Sequence, residues 1–186
     1  IDSFDSKPTD LNYWDIYIPE NADSNIGFVR IQYDSSNFVE GSASISLNWG
    51  IHNNEIWGGL SRIEHFSKND LLYDFSRYDS LSIWYNNITS NPINSVEFRI
   101  ILYDASHSNS DSLSFRNTEN YYSFHYILGS ISGWNKIKIP LEITNSYDSS
   151  GFTLTNWSGI TGNAILDKDK IVGFGFEFAS TQPDGP

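Results

Sequence analysis

Along this chain, apolar and polar residues alternate one by one far more often than they recur at helical spacing. A period of two marks a half-buried strand, because successive side chains point to opposite faces. The alternation predicts strands over Gly27–Asp34, Ala43–Gly50, Ile56–Ile63, Ser80–Asn86, Val96–Tyr103, Tyr121–Leu128, Lys136–Leu141 and Ile171–Phe178. Each is rich in Ile, Val, Phe, Tyr or Trp, and clusters of Ser, Asn, Asp and Gly lie between them, as in Ser106–Ser112 and Thr144–Gly151. Many short strands joined by turn-rich connections predict an all-β fold. The expected form is an antiparallel β-sandwich or jelly roll, one domain spanning residues 1–186.

The alternation also sorts the side chains. One set of faces is apolar: Leu81, Ile83 and Tyr85; Val96, Phe98, Ile100 and Leu102; Tyr122, Phe124, Tyr126 and Leu128; Ile137, Ile139 and Leu141; Val172, Phe174, Phe176 and Phe178. These predict the core. The opposite faces are mixed. They carry Trp84; Glu97, Arg99 and Tyr103; Tyr121 and His125; Lys136 and Lys138; and Gly173, Gly175 and Glu177. A merely solvated face would hold Thr, Ser, Lys and Glu, without aromatic rings. Trp49 continues the Ile45 and Leu47 face and is expected at the core, whereas Trp14 is expected at a groove rim. The glycines of Trp57-Gly58-Gly59 let the backbone approach a neighbouring strand closely. Asp74, Tyr78 and Leu81 share their spacing with Asp167, Ile171 and Phe174. Each trio predicts a turn capped by the Asp carboxylate, which accepts N–H groups two or three residues on, with the next apolar residue pinning the turn.

Composition narrows the chemistry. Hydrophobic residues are 39% of the 186 and aromatics alone are 16%, so the aromatic share has a use beyond packing. The net charge of −12, from 11 basic and 23 acidic residues, argues against nucleic acid and anionic membranes as partners. With no cysteine there is no disulfide, no zinc–thiolate site and no thiol nucleophile. A secreted eukaryotic domain more often carries a disulfide, so a bacterial origin is expected. The absence of an initiator methionine suggests a mature or excised module.

The mixed face suits sugars. Pyranose rings present apolar C–H patches that stack on aromatic rings, while their hydroxyls need charged and amide partners. Trp84, Tyr103 and Tyr121 are the candidate stacking residues. Glu97, Arg99, His125 and Glu177 are the candidate hydroxyl readers. Two enzymatic alternatives use the same residues. Glu97 and Glu177 are the best carboxylate pair for a glycosidase, and His125 with Tyr121 could serve a polysaccharide lyase. A structural or protein-binding sandwich of a cell-surface assembly is a third reading.

A family resemblance rests on "FDS" at Phe4–Ser6, "EGSASISL" at Glu40–Leu47, "YDFSRYDSLSIWY" at Tyr73–Tyr85, "GWNKIKIPL" at Gly133–Leu141 and "LDKDKIVGFGFEF" at Leu166–Phe178. In this order they resemble the β-jelly-roll carbohydrate-binding modules of bacterial polysaccharide degraders, with the galactose-binding-like fold. The family-eleven modules are the nearest type and the family-thirty modules a second. The resemblance implies a secreted or cell-surface, non-catalytic and monomeric module, tethered to a catalytic domain. It would hold a β-glucan or cellulose-type chain in a concave groove. It also implies a structural calcium at Asp5 and the Glu40 loop, where carboxylate and carbonyl oxygens suit a hard cation.

Overall fold

The structure is a computed structural model and describes residues 14–67, 71–88, 96–110, 112–126 and 133–180. Within them lie β1 (Asp15–Tyr17), β2 (Phe28–Asp34), β3 (Ser44–Gly50), β4 (Gly59–Phe66), β5 (Ser80–Asn86), β6 (Val96–Asp104), β7 (Glu119–His125), β8 (Trp134–Pro140), β9 (Thr153–Leu154) and β10 (Ile171–Ser180). Six of them form one sheet in the order β1-β4-β10-β6-β7-β9. The pairs β2–β3 and β5–β8 form two further ribbons. All strand pairings are antiparallel.

The ribbons turn Val29, Ile31, Leu47, Ile83, Ile137 and Ile139 onto the large sheet, where they meet Ile63, Ile100, Leu102, Phe174 and Phe178. Trp49 stacks on Phe178 with ring centroids 4.4 Å apart. The chain is therefore all-β, an antiparallel sandwich with its main core between the ribbons and the six-stranded sheet.

Four expectations are corrected. First, β4 begins at Gly59, not Ile56. Ile56 is 97% exposed, in a turn closed by reciprocal Glu55 and Gly58 backbone hydrogen bonds. A Cβ on Gly59 would stand 2.2 Å from the His52 carbonyl oxygen, so this glycine serves a close backbone approach. Second, β7 has the opposite phase. Its Tyr121, Ser123 and His125 pair with Leu102, Ile100 and Phe98 on the core side, whereas Tyr122 and Phe124 lie with Ile101 and Arg99; Tyr126, expected in the core, is 64% exposed, and Leu128 lies outside the described residues. Third, an irregularity between Ile171 and Gly173 shifts the β10 register, and Val172 joins Ile101, Tyr103, Tyr122 and Phe124 in a second apolar cluster on the outer side. Fourth, Trp14 is no rim residue. It is buried beside His65, Phe174 and Phe176.

The two Asp turns behave differently. Asp74 Oδ1 accepts the Ser76 N–H at 2.9 Å as expected, but Phe75 anchors the turn and Tyr78 is 60% exposed. The Asp167 carboxylate instead accepts from Asn163, and its carbonyl closes the turn with the Lys170 N–H. The turns are also bonded to each other, through Phe75 N–H to the Lys168 carbonyl and Tyr73 N–H to the Ile171 carbonyl.

Candidate functional site

The outer face of the six-stranded sheet is crossed by a row set by strand register. Tyr17 opposes Arg62, Arg62 opposes Glu177, Glu177 opposes Arg99, and Arg99 opposes Phe124. Cross-strand neighbours on one face lie within side-chain reach, and here they form a ladder of charges. Arg62 Nη1 donates to Glu177 Oε2 at 3.1 Å. Arg99 Nη1 donates to Glu177 Oε1 at 2.8 Å, and Arg99 Nε to Glu97 Oε2 at 2.6 Å. Arg62 Nε pairs with Glu64 at the other end. Three carboxylates thus share two guanidiniums, all of them buried.

Burial opposes charge on both arginines, yet the acidic groups around them win. Tyr103, Glu177 and Glu64 around Arg62, and Glu177 and Glu97 around Arg99, hold both above the ordinary arginine range. Burial pushes the Glu64 carboxyl up, against the pull of Arg62. It also pushes the Tyr103 phenol well up. Tyr103 is fully buried, stacked on Phe66, and its hydroxyl reaches over Gly175, where a Cβ would stand 2.5 Å from it.

Aromatic rings cap the ladder. The Arg62 guanidinium lies 3.9 Å from the Phe115 ring centroid and 4.7 Å from that of Tyr17. The Arg99 guanidinium lies 4.9 Å from the Trp157 centroid and 5.4 Å from that of Phe124. Such cation–π contacts hold rings in fixed orientation over a charge. Trp157 leans edge-on against Tyr122, and Tyr147 packs on Phe124. The loops that carry these two rings are tied to β7. The Phe124 N–H donates to the Asp148 carbonyl, and Ser158 Oγ accepts the Asn120 N–H while donating to the Thr118 carbonyl. Tyr126 hydrogen-bonds Glu97, which raises its phenol pKa. Tyr17, Tyr126, Tyr147 and Trp157 all remain exposed, from 41% to 64%.

The residues singled out from the sequence divide accordingly. Glu97, Arg99, Tyr103 and Glu177 come together in this ladder, beneath the aromatic rim. Tyr121 and His125 do not join them. Tyr121 donates its hydroxyl to Glu119 Oε2 at 2.6 Å, while His125 Nε2 pairs with Ser123 Oγ at 3.0 Å, both on the core side. Burial holds the His125 ring down at about 4. Tyr121 and His125 are thus four residues apart on one side of β7, each hydrogen-bonded to a different partner. Trp84 stands on the other layer, on β5. Its indole N–H donates to Glu40 Oε1 at 3.0 Å, and the Lys136 ammonium lies 5.1 Å from its ring centroid.

Asp5 lies outside the described residues. Glu40 is exposed and engaged by Trp84, and among the described residues no group of three carboxylate or histidine side chains could hold a metal. Only the Glu40 part of the implied calcium site therefore lies within the described residues.

Sequence reasoning missed Arg62, Glu64, Tyr17, Phe115, Tyr147 and Trp157 as site residues. A signal for the first two existed: Arg62-x-Glu64 on one strand mirrors Glu97-x-Arg99 on another. The other four sit on short or irregular segments, where alternation is silent. No protein-family model, curated protein or solved structure matches the chain.

Proposed function

We propose that the protein is a non-catalytic polysaccharide-binding module that holds a β-glucan-type chain across the outer face of the six-stranded sheet. The observation that carries this reading is the aromatic rim. Tyr17, Tyr126, Tyr147 and Trp157 stand exposed around a buried, internally paired Arg–Glu ladder, on the face that the main core does not use. Exposed aromatic rings fixed from below suit the C–H faces of neutral sugar rings. Glu97 and Arg99 at the ladder's end supply hydroxyl partners beside Tyr126 and Trp157.

The same ladder favours binding over hydrolysis. Glu97 and Glu177 both accept from the Arg99 guanidinium, which suits paired charges bridged by one cation better than a spaced acid and nucleophile. Targeting of an attached catalytic domain, secretion, a bacterial source and membership of the family-eleven or family-thirty type belong to this proposal and rest on the resemblance. Affinity electrophoresis in gels containing β-glucan, xyloglucan, xylan, mannan or alginate tests it. Retention by β-glucan is expected, with Trp157→Ala and Tyr147→Ala each weakening it roughly tenfold or more, the loss typical of a central aromatic contact. Retention unchanged in both variants would sink the site.

A further inference from the structure

A concave feature lies beside the start of β5. A depression of about 590 Å³ is lined by Leu72, Tyr73, Asp74, Phe75, Tyr78, Ser80, Leu81, Ser82 and Leu141. That volume falls in the range of small-ligand sites. Its floor is apolar, with Phe75 and Leu141 buried. Its rim is mixed, with Tyr78 60% and Leu72 46% exposed beside the Asp74 carboxylate and the Ser80 and Ser82 hydroxyls.

The strand edge adds polar groups that no side-chain inventory shows. Among the described residues β5 pairs with β8 alone. The Leu141 N–H donates to the Asp79 carbonyl, and Leu81 opposes Ile139 in the same register. Hydrogen-bonded pairs alternate along an antiparallel ladder. Asp79 and Leu81 therefore turn their backbone groups to β8, and Ser80 and Ser82, which line the depression, turn theirs to the opposite edge, which no described strand pairs.

We propose that this depression is a second saccharide-binding site, taking one or two rings of a neutral oligosaccharide. Tyr78 is the stacking platform. Asp74, Ser80, Ser82 and the two edge backbone groups read hydroxyls. Asp74 accepts from both the N–H and the hydroxyl of Ser76, and a carboxylate with about four lone-pair sites keeps acceptor capacity beyond these. An extended peptide adding to β5 is the competing occupant. The depression accompanies just Ser80 to Ser82 along the strand, roughly 10 Å at the usual rise. That is a short register for strand addition and a sufficient length for a pair of sugar rings. Leu72, Tyr73, Asp74, Phe75 and Tyr78 of the preceding turn line the same depression.

The test is amide chemical-shift mapping on the whole protein, titrated in turn with cellotetraose, xylotetraose and mannotetraose. At least one sugar is expected to shift amides within residues 73–82 and at Leu141. Tyr78→Ala, an exposed position, should weaken that response at least tenfold while leaving shifts around Tyr147 and Trp157 in place. The proposal is overturned if none of the three sugars moves residues 73–82, or if Tyr78→Ala leaves their response unchanged. It is also overturned if an extended seven-residue peptide shifts Ser80–Ser82 while the sugars do not. Shifts confined to residues 73–82 and Leu141 would support this site and refute the aromatic rim, so the two readings fail separately.

Discussion

A single buried imidazole gives the fold a pH dependence with a definite sign. His125 is protonated near 6.5 when unfolded and stays neutral down to about 4 when folded, because burial disfavours its charge. Between those values the unfolded chain binds a proton that the native state refuses. Stability is therefore unaffected by this group above about 6.5 and is lost as pH falls toward 4. His125→Gln removes the effect. The difference between wild-type and variant melting curves should grow as pH falls through that window and stay constant above it; parallel curves at every pH would refute the assignment. Glu64 works in the opposite sense. Burial raises its folded pKa, so its contribution is present at low pH and is lost as pH rises through that value. Comparing variant with wild type, rather than reading one curve, separates the two.

At the scale of elements, alternation identified which segments are strands better than it identified which way they face. β5 runs from Ser80 to Asn86 as its pattern predicts, and β2, β3, β6 and β8 fall within two residues of their predicted starts. The face of β7 was illegible because both of its sides are partly apolar. Tyr122, Phe124 and Tyr126 look more like core than Tyr121, Ser123 and His125, yet the outer side of this sheet has an apolar cluster of its own that receives Tyr122 and Phe124, while Tyr126 stays exposed. Val172 was misplaced for another reason: a register irregularity moves a residue to the other side without changing its pattern. The ladder residues Glu97, Arg99 and Glu177 were legible, since charges at alternate positions within apolar strands stand out. β10 shows how tightly that outer face is fitted. Tyr103 lies flat because residue 175 has no side chain. Gly175→Ala is expected to destabilise by about 1–3 kcal/mol, the usual cost of overpacking, measured by urea denaturation; a neutral result would mean that Tyr103 shifts freely.

For the whole molecule, the distribution of charge matters more than its sum. The ladder takes up two of the eleven cations, Arg62 and Arg99, together with three carboxylates, so the acidic excess of the chain lies almost entirely outside it. Anionic polymers such as alginate should therefore be repelled and neutral glucans accepted. Retention by β-glucan should change less than about twofold between low and high salt, because screening acts on exposed charges and here the paired ones are buried. A steep salt dependence in affinity electrophoresis would point to an ionic ligand instead. The ladder also bears on time. Glu177 bonds to Arg62 and Arg99 across 115 and 78 residues of chain, and β10 lies between the strands that carry them. Contacts of such separation slow folding, and the ladder closes only once β10 has slid between β4 and β6. Formed after the transition state, such an interaction acts on escape from the native state rather than on its formation. Glu177→Gln is expected to speed unfolding in a stopped-flow jump while leaving the refolding rate nearly unchanged. Equal changes in both rates would show that the ladder forms early. The ladder is thus a latch on native lifetime, set by where β10 sits among its neighbours.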